Sequence, residues 1–316
     1  MTVWNVTLPF NTGRIQDEPP SILAYGPPGS GKTTETFIAL SRMTAKRGGV
    51  LYIEKAGGTL RAFDDLARSH PELGLVGPAA RLTLDGATLA AHYGGSMYAA
   101  MTTLYQHVTE GVDRGTFPFG GIMLDDWNEI CELVYAELKA LPASRAPQHY
   151  SDKSGKQNIF AVMDSFRAFH RLFATLGRRT KRAIGFTSHY QLPKYDEEPA
   201  SRTYGLLKTP GGPKMPMGLG SEVVSICGEV DVVVHFVVEE LLTAKALLPP
   251  LPGTPVQPAP PTDPALLGVS RRKLLTQLEP TWFRKVRGFN VAAEVPIDAR
   301  KQLGLYSLLQ ANGYPV

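Results

Sequence analysis

The sequence predicts an α/β fold, a doubly wound and mainly parallel sheet with a C-terminal antiparallel extension. Three observations carry this. Apolar runs of strand length at 21–25, 49–54, 120–126 and 183–189 alternate with stretches of helical spacing. Glycine or proline punctuates the ends of several of these runs, as at Gly26-Pro27, Gly57-Gly58 and Gly120-Gly121. Polar side chains also collect where the runs finish, at Glu54, Asp125 and Thr187. In a parallel sheet those ends share one edge, the edge at which such folds bind ligands.

Each element has its own justification. Residues 1–20 lack periodicity and close on Asp17-Glu18-Pro19-Pro20, so they read as an N-terminal arm to a single domain over 21–316. Ser21-Ile22-Leu23-Ala24-Tyr25 is a buried strand, and 34–43 is a helix turning Phe37, Leu40 and Met43 inward. A second strand ends at Glu54, 88–110 is helical in pattern, and the run at 120–126 forms a third strand. A helix over 128–140 and a polar loop over 142–156 precede an amphipathic helix at 160–176, which is expected to stop at Gly177. After the strand at 183–189, residues 192–220 are Pro/Gly-rich, a strand occupies 230–238, and a proline-rich insertion spans about 249–265. Strands at 272–278 and 282–286 form the antiparallel extension, and a terminal helix covers 298–310.

Composition bounds the function classes. The 316 residues are 43% hydrophobic, enough for a substantial core, and the formal charge of +4 permits but does not require a nucleic-acid partner. Cys131 and Cys227 both lie in apolar runs and read as buried thiols of a reducing compartment. The longest apolar run, 230–238, contains Asp231 and His235, so it reads as a core strand rather than a membrane span. The expectation is a cytoplasmic protein with no membrane partner.

Between the first strand and first helix stands Gly26-Pro27-Pro28-Gly29-Ser30-Gly31-Lys32-Thr33, followed by Thr34. Glycines let such a loop curl so that successive N–H groups face one point, and the helix N-terminus adds its dipole. This strand–loop–helix context makes Gly26, Pro27, Pro28, Gly29, Ser30, Gly31, Lys32, Thr33 and Thr34 a phosphate cradle and predicts a bound nucleoside triphosphate, ATP, with Mg²⁺. Lys32 reaches the β- and γ-phosphates in this reading, and the Thr33 hydroxyl ligates the metal. Ile122-Met123-Leu124-Asp125 is an apolar strand ending in a carboxylate, so Asp125 is read as the acid on the Mg²⁺ side. Asp126 is read as a helix cap or water-orienting group, and Glu54 as the general base that positions the attacking water. Thr187, Ser188 and His189 end another strand at the same edge, where they can sense the γ-phosphate.

With these residues in order, the chain resembles the RecA-like P-loop ATPases, and among them the small phage-encoded forms that act in single-strand annealing or recombination. The resemblance runs over about residues 20–290. It rests on Gly26–Thr33 and on Leu51-Tyr52-Ile53-Glu54-Lys55-Ala56-Gly57-Gly58. Asp125, Thr187-Ser188-His189 and Lys285-Val286-Arg287-Gly288 complete it. It implies a homo-oligomer with nucleotide at subunit interfaces, where Lys285 and Arg287 reach a neighbour's γ-phosphate, and a function on DNA in recombination, annealing or replication. One departure stands out: the family's catalytic glutamate falls on Ala56, and Glu54 occupies the place of its aspartate. The DNA-contacting loops implied by the resemblance hold Arg145, His149, Tyr150, Lys153 and Lys156 in the first. The second holds Lys194, Tyr195, Arg202, Tyr204, Lys208 and Lys214. Cations interleaved with tyrosines suit single-stranded DNA. Two alternatives stay open: a translocase or packaging-type motor, and a nucleotide-gated assembly protein with little hydrolysis.

Overall fold

Ile22, Leu23 and Ala24 are wholly buried because their strand lies in the middle of a sheet covered on both faces. The computed structural model describes residues 19–192, 194–195, 207–209, 212–214, 229–240, 270–275, 285–286, 294–297, 304–311 and 314. The strands are β1 (Ser21–Tyr25), β2 (Val50–Glu54), β3 (Ala80–Thr83), β4 (Gly121–Leu124), β5 (Ala183–Ser188), β6 (Tyr190–Gln191), β7 (Lys194–Tyr195), β8 (Leu207–Thr209), β9 (Gly212–Pro213), β10 (Val232–Glu240), β11 (Ser270–Leu275), β12 (Lys285–Val286) and β13 (Glu294–Pro296). The helices are α1 (Lys32–Thr44), α2 (Arg61–Ser69), α3 (Gly86–Tyr93), α4 (Met97–Asp113), α5 (Trp127–Ala140), α6 (Ile159–Thr180) and a final α7 (Leu305–Ala311).

The main sheet runs in the order β13-β11-β10-β1-β5-β4-β2-β3, with β12 also paired to β10. From β10 to β3 all pairings are parallel, and β11, β12 and β13 join antiparallel. The α/β class, the mainly parallel sheet and the antiparallel C-terminal extension therefore all appear. Alternation along the strands divides the core in two. Leu23, Leu51, Ile53, Ile122, Leu124, Ile184 and Phe186 pack under α3, α4, α5 and α6. Ile22, Ala24, Tyr52, Met123, Val234 and Leu274 pack under α1, α2 and α7. Among the described residues no helix is long and apolar enough to cross a membrane.

Several boundaries differ from expectation for local reasons. The pattern at 88–110 is two helices, because Gly94 and Gly95 both take positive φ between them. Asp85 and Ser96 cap the two starts through Thr88 N and Ala99 N. Glu137 of α5 also accepts from Ser96 Oγ and from the amides of Met97 and Tyr98, which fastens the start of α4. Strand β3 was not expected; it is a half-buried edge strand without a continuous apolar run.

Helix α6 does not stop at Gly177. It continues to Thr180, and Lys181 takes the left-handed turn that closes it. The absent side chain at Gly177 instead serves close packing, since a Cβ there would lie 3.1 Å from Arg182 O and 3.5 Å from Ile184 Cγ1. The terminal helix is confined to Leu305–Ala311 among the described residues. Residues 1–18 of the arm, the insertion at 249–265 and Cys227 lie outside the described residues. Cys131 is fully buried, which pushes its thiol well above the ordinary range.

Candidate functional site

Strand order brings the polar strand ends together. The turn after β1 leads into α1, β5 lies beside β1, and β4 lies beside β5, so residues after β1 and β4 face one another across the end of β5. Gly26 begins the turn. A Cβ there would stand 2.5 Å from Phe236 O, so only glycine lets the turn leave so close to β10. Gly26 N donates to Ser188 O, and Gly29 and Gly31 take φ of 75° and 88°. No side chain caps α1, so among the described residues its first amides have no capping partner. Ser30 Oγ is buried without a hydrogen-bond partner beside them. This loop end offers N–H groups and a hydroxyl to an anion.

Asp125, at 0% exposure, is the hub of the site. Its Oδ1 accepts from Thr33 Oγ1 at 2.9 Å and from Thr187 Oγ1, and its Oδ2 accepts from the Tyr52 phenol at 2.5 Å. Asp126 N in turn donates to Thr187 Oγ1 at 2.9 Å. Thr33 and Asp125 thus present two oxygens side by side at the mouth of the loop. Among the described residues no cluster of three or more His, Cys, Asp or Glu side chains could hold a metal alone. The pair fits Mg²⁺, which favours one or two protein oxygens completed by phosphate and water.

Lys32 is the first residue of α1 and is 7% exposed. Burial pulls its ammonium below the ordinary lysine range, opposed by the nearby Asp126 and Asp125 carboxylates. Asp126 sits in the left-handed region at φ 56°, ahead of α5, without capping that helix through its side chain. Burial, then the charges of Asp125 and Glu129, raises its carboxyl to about 6, while Lys32 and Lys55 hold it down. Strand β4 ends at Leu124, so Asp126 does not alternate to the far side as a continued strand would make it. His189 is half-buried, and burial followed by the Lys32 charge lowers its imidazole.

Glu54 is 3% exposed, and both of its oxygens are engaged. Oε2 accepts from Thr59 Oγ1 at 2.5 Å and Thr59 N at 3.3 Å, and Oε1 accepts from Thr83 Oγ1 at 3.2 Å. Its carboxylate ties the diglycine turn back onto β2. Glu129, a further carboxylate nearby, pairs with Lys55 at 2.7 Å.

Of the expected DNA-facing residues, Arg145, Lys153 and Lys156 are exposed. His149 is not. It is 1% exposed and shares a hydrogen bond of 2.8 Å with Ser165 of α6. Tyr150 is half-buried and donates to Leu141 O. Lys214 pairs with Glu132 at 2.9 Å. Lys194, Tyr195 and Lys208 are described as strand backbone only, and Arg202, Tyr204 and Arg287 lie outside the described residues. Lys285 is likewise described by its backbone, opposite Val233 of β10. Through Val286 its strand runs toward the start of β10, away from the chain's own 26–34 turn.

Two contributors were missed. Tyr52 reads as an apolar strand residue, yet its phenol donates to Asp125 and lies against the Thr59 hydroxyl. Glu35, one turn into α1, is 6% exposed and accepts from the Leu305 backbone at the start of α7. Burial raises its carboxyl from 4.5 to about 7, against the lowering by that hydrogen bond, Arg42 and Arg272. A raised folded pKa makes the ionised form unfavourable above about pH 7, and the penalty fades as pH falls to the unfolded value. Glu35→Gln is therefore expected to stabilise the protein at pH 8 by up to about 3 kcal/mol and to leave it unchanged at pH 4.5. Thermal unfolding at the two pH values checks this; a lower midpoint at pH 8 would refute it.

No protein-family model matches the chain, and no curated protein matches it.

Proposed function

We propose that this chain binds ATP with Mg²⁺ at residues 26–34 and hydrolyses it, as a RecA-like P-loop ATPase that acts on DNA as an oligomer. One observation carries most weight. The Thr33 hydroxyl and the Asp125 carboxylate, far apart in sequence, meet at 2.9 Å beside an uncapped helix N-terminus. In this reading the amides of the loop and Lys32 bind the phosphates, and Thr33 and Asp125 would hold Mg²⁺. The metal, when bound, would neutralise charge developing on the β- and γ-phosphates. Thr187 and Tyr52 keep the Asp125 carboxylate aimed. Lys285 and Arg287 would act in a neighbouring chain.

Asp126 is better suited than Glu54 to orient the attacking water and take its proton. After burial, its charge is the largest influence on Lys32, ahead of that of Asp125, whereas Glu54 is committed to Thr59 and Thr83. That commitment, together with Ala56, also favours a second reading, an assembly protein that uses ATP chiefly to join subunits.

Turnover separates these readings when measured without DNA, with single-stranded DNA and with duplex DNA. The expected result is stimulation by single-stranded DNA, a loss of about 100-fold in Asp126→Asn, and near-native turnover in Glu54→Gln. Stimulation by duplex DNA alone would favour a translocase. Near-zero turnover with ATP-dependent oligomerisation would favour the assembly protein.

A further inference from the structure

We infer that Arg272, from the antiparallel extension, belongs to the nucleotide site and engages the nucleoside-proximal phosphate. This rests on the ATP-binding reading above and adds to it a cation from a part of the chain that reading does not use.

Register brings Arg272 to the site. Gly26 lies against Phe236 of β10, and two residues further on Val238 pairs with Arg272 of β11. Arg272 therefore stands at the same sheet edge as the 26–34 turn. It shares a strand face with Leu274, which is buried beneath α1 and α7, so its side chain rises on the α1 side. A Cβ built on Gly31 would lie 3.7 Å from Arg272 Cδ and 3.8 Å from Nη1. The guanidinium thus lies against the residue preceding Lys32, at the entrance to α1. Arg272 is exposed, and among the described residues no hydrogen bond or ion pair fixes its guanidinium. Its charge is felt by Glu35 one helical turn further on.

Strand order decides which end of the ligand it meets. β4, carrying Asp125 at its end, is two strands from β1 on one side, and β11 is two strands from β1 on the other. Lys32 is drawn toward the Asp125 and Asp126 side, where Thr33 and Asp125 form the metal site. The terminal phosphates belong there. A phosphate chain cradled by the turn between the two sides places its nucleoside-proximal end toward Arg272, and a guanidinium is well matched to phosphate oxygens. Glycine at position 31 matters here for its φ of 88°, which other residues rarely adopt.

The test is direct titration of the full chain with Mg·ATP and Mg·ADP, comparing native protein, Arg272→Ala, Arg272→Lys and Lys32→Ala. ATP and ADP share the nucleoside-proximal end, so Arg272→Ala should weaken both by the same factor, about tenfold. Arg272→Lys should recover part of that loss, with thermal unfolding showing all variants folded. Native affinity for both nucleotides in Arg272→Ala, or a loss confined to ATP, would overturn the assignment. If Lys32→Ala still lost binding, the phosphate-loop reading would survive that outcome. Absence of binding by the native protein would overturn both.

Discussion

Lys32→Ala is expected to lower ATP affinity by at least about 100-fold while leaving the fold intact. Lys32 is 7% exposed at the head of α1, next to amides that no side chain caps. A triphosphate reaching those amides meets Lys32 as the cation inside the turn, with two phosphates able to accept from it. Two charge-assisted hydrogen bonds in a partly desolvated site account for a loss of that order. The same substitution removes a positive charge that offsets the repulsion between Asp126 and Asp125 in the free protein. Fluorescent-nucleotide binding and thermal unfolding, measured together, separate the two effects. Unchanged affinity would show that the turn does not hold phosphate.

Trp127→Ala should destabilise the protein by about 4 kcal/mol, the largest loss expected from one side chain. The indole is 2% exposed and stacks on Phe169 at 5.9 Å, with Phe173 at 5.3 Å and Phe186 at 5.2 Å around it. Its Nε1 donates to His170 Nε2 at 3.0 Å. Burial lowers His170 to about 3, so the ring stays neutral and can accept that hydrogen bond at neutral pH. Truncation leaves a cavity between α5, α6 and the sheet and strips the buried ring nitrogen of its donor. Because Trp127 directly follows Asp126, it also anchors the left-handed turn beside Lys32. A urea midpoint falling at constant slope would match this account; a change below about 1 kcal/mol would not.

What could be read from the sequence was what depends on neighbours in the chain. The turn at 26–34 carries its glycines, Lys32 and Thr33 consecutively, and the apolar strands β1, β2, β4 and β5 announce their own polar ends. From these, Asp125 and Thr187 could be marked before their meeting was visible. Side chains whose surroundings come from distant elements were not legible. His149 sits in a polar stretch with no local sign of burial, and only the packing of α6 over it removes it from solvent. Tyr52 acquires its role from β4 pairing beside β2, and Arg272 from the antiparallel register of β10 and β11. Glu54 was identified as a site carboxylate by its place at a strand end. Thr59 and Thr83, one from the diglycine turn and one from the unexpected edge strand β3, are what occupy it.

In the proposed function, the turn between β1 and α1 holds a nucleoside triphosphate with its metal. Isothermal titration of the native chain with ATP in the presence of Mg²⁺ tests it most directly. Saturable binding with one nucleotide per chain, weakened when Mg²⁺ is chelated, is the expected result. No saturable binding of ATP or any other nucleoside triphosphate by folded protein would contradict it.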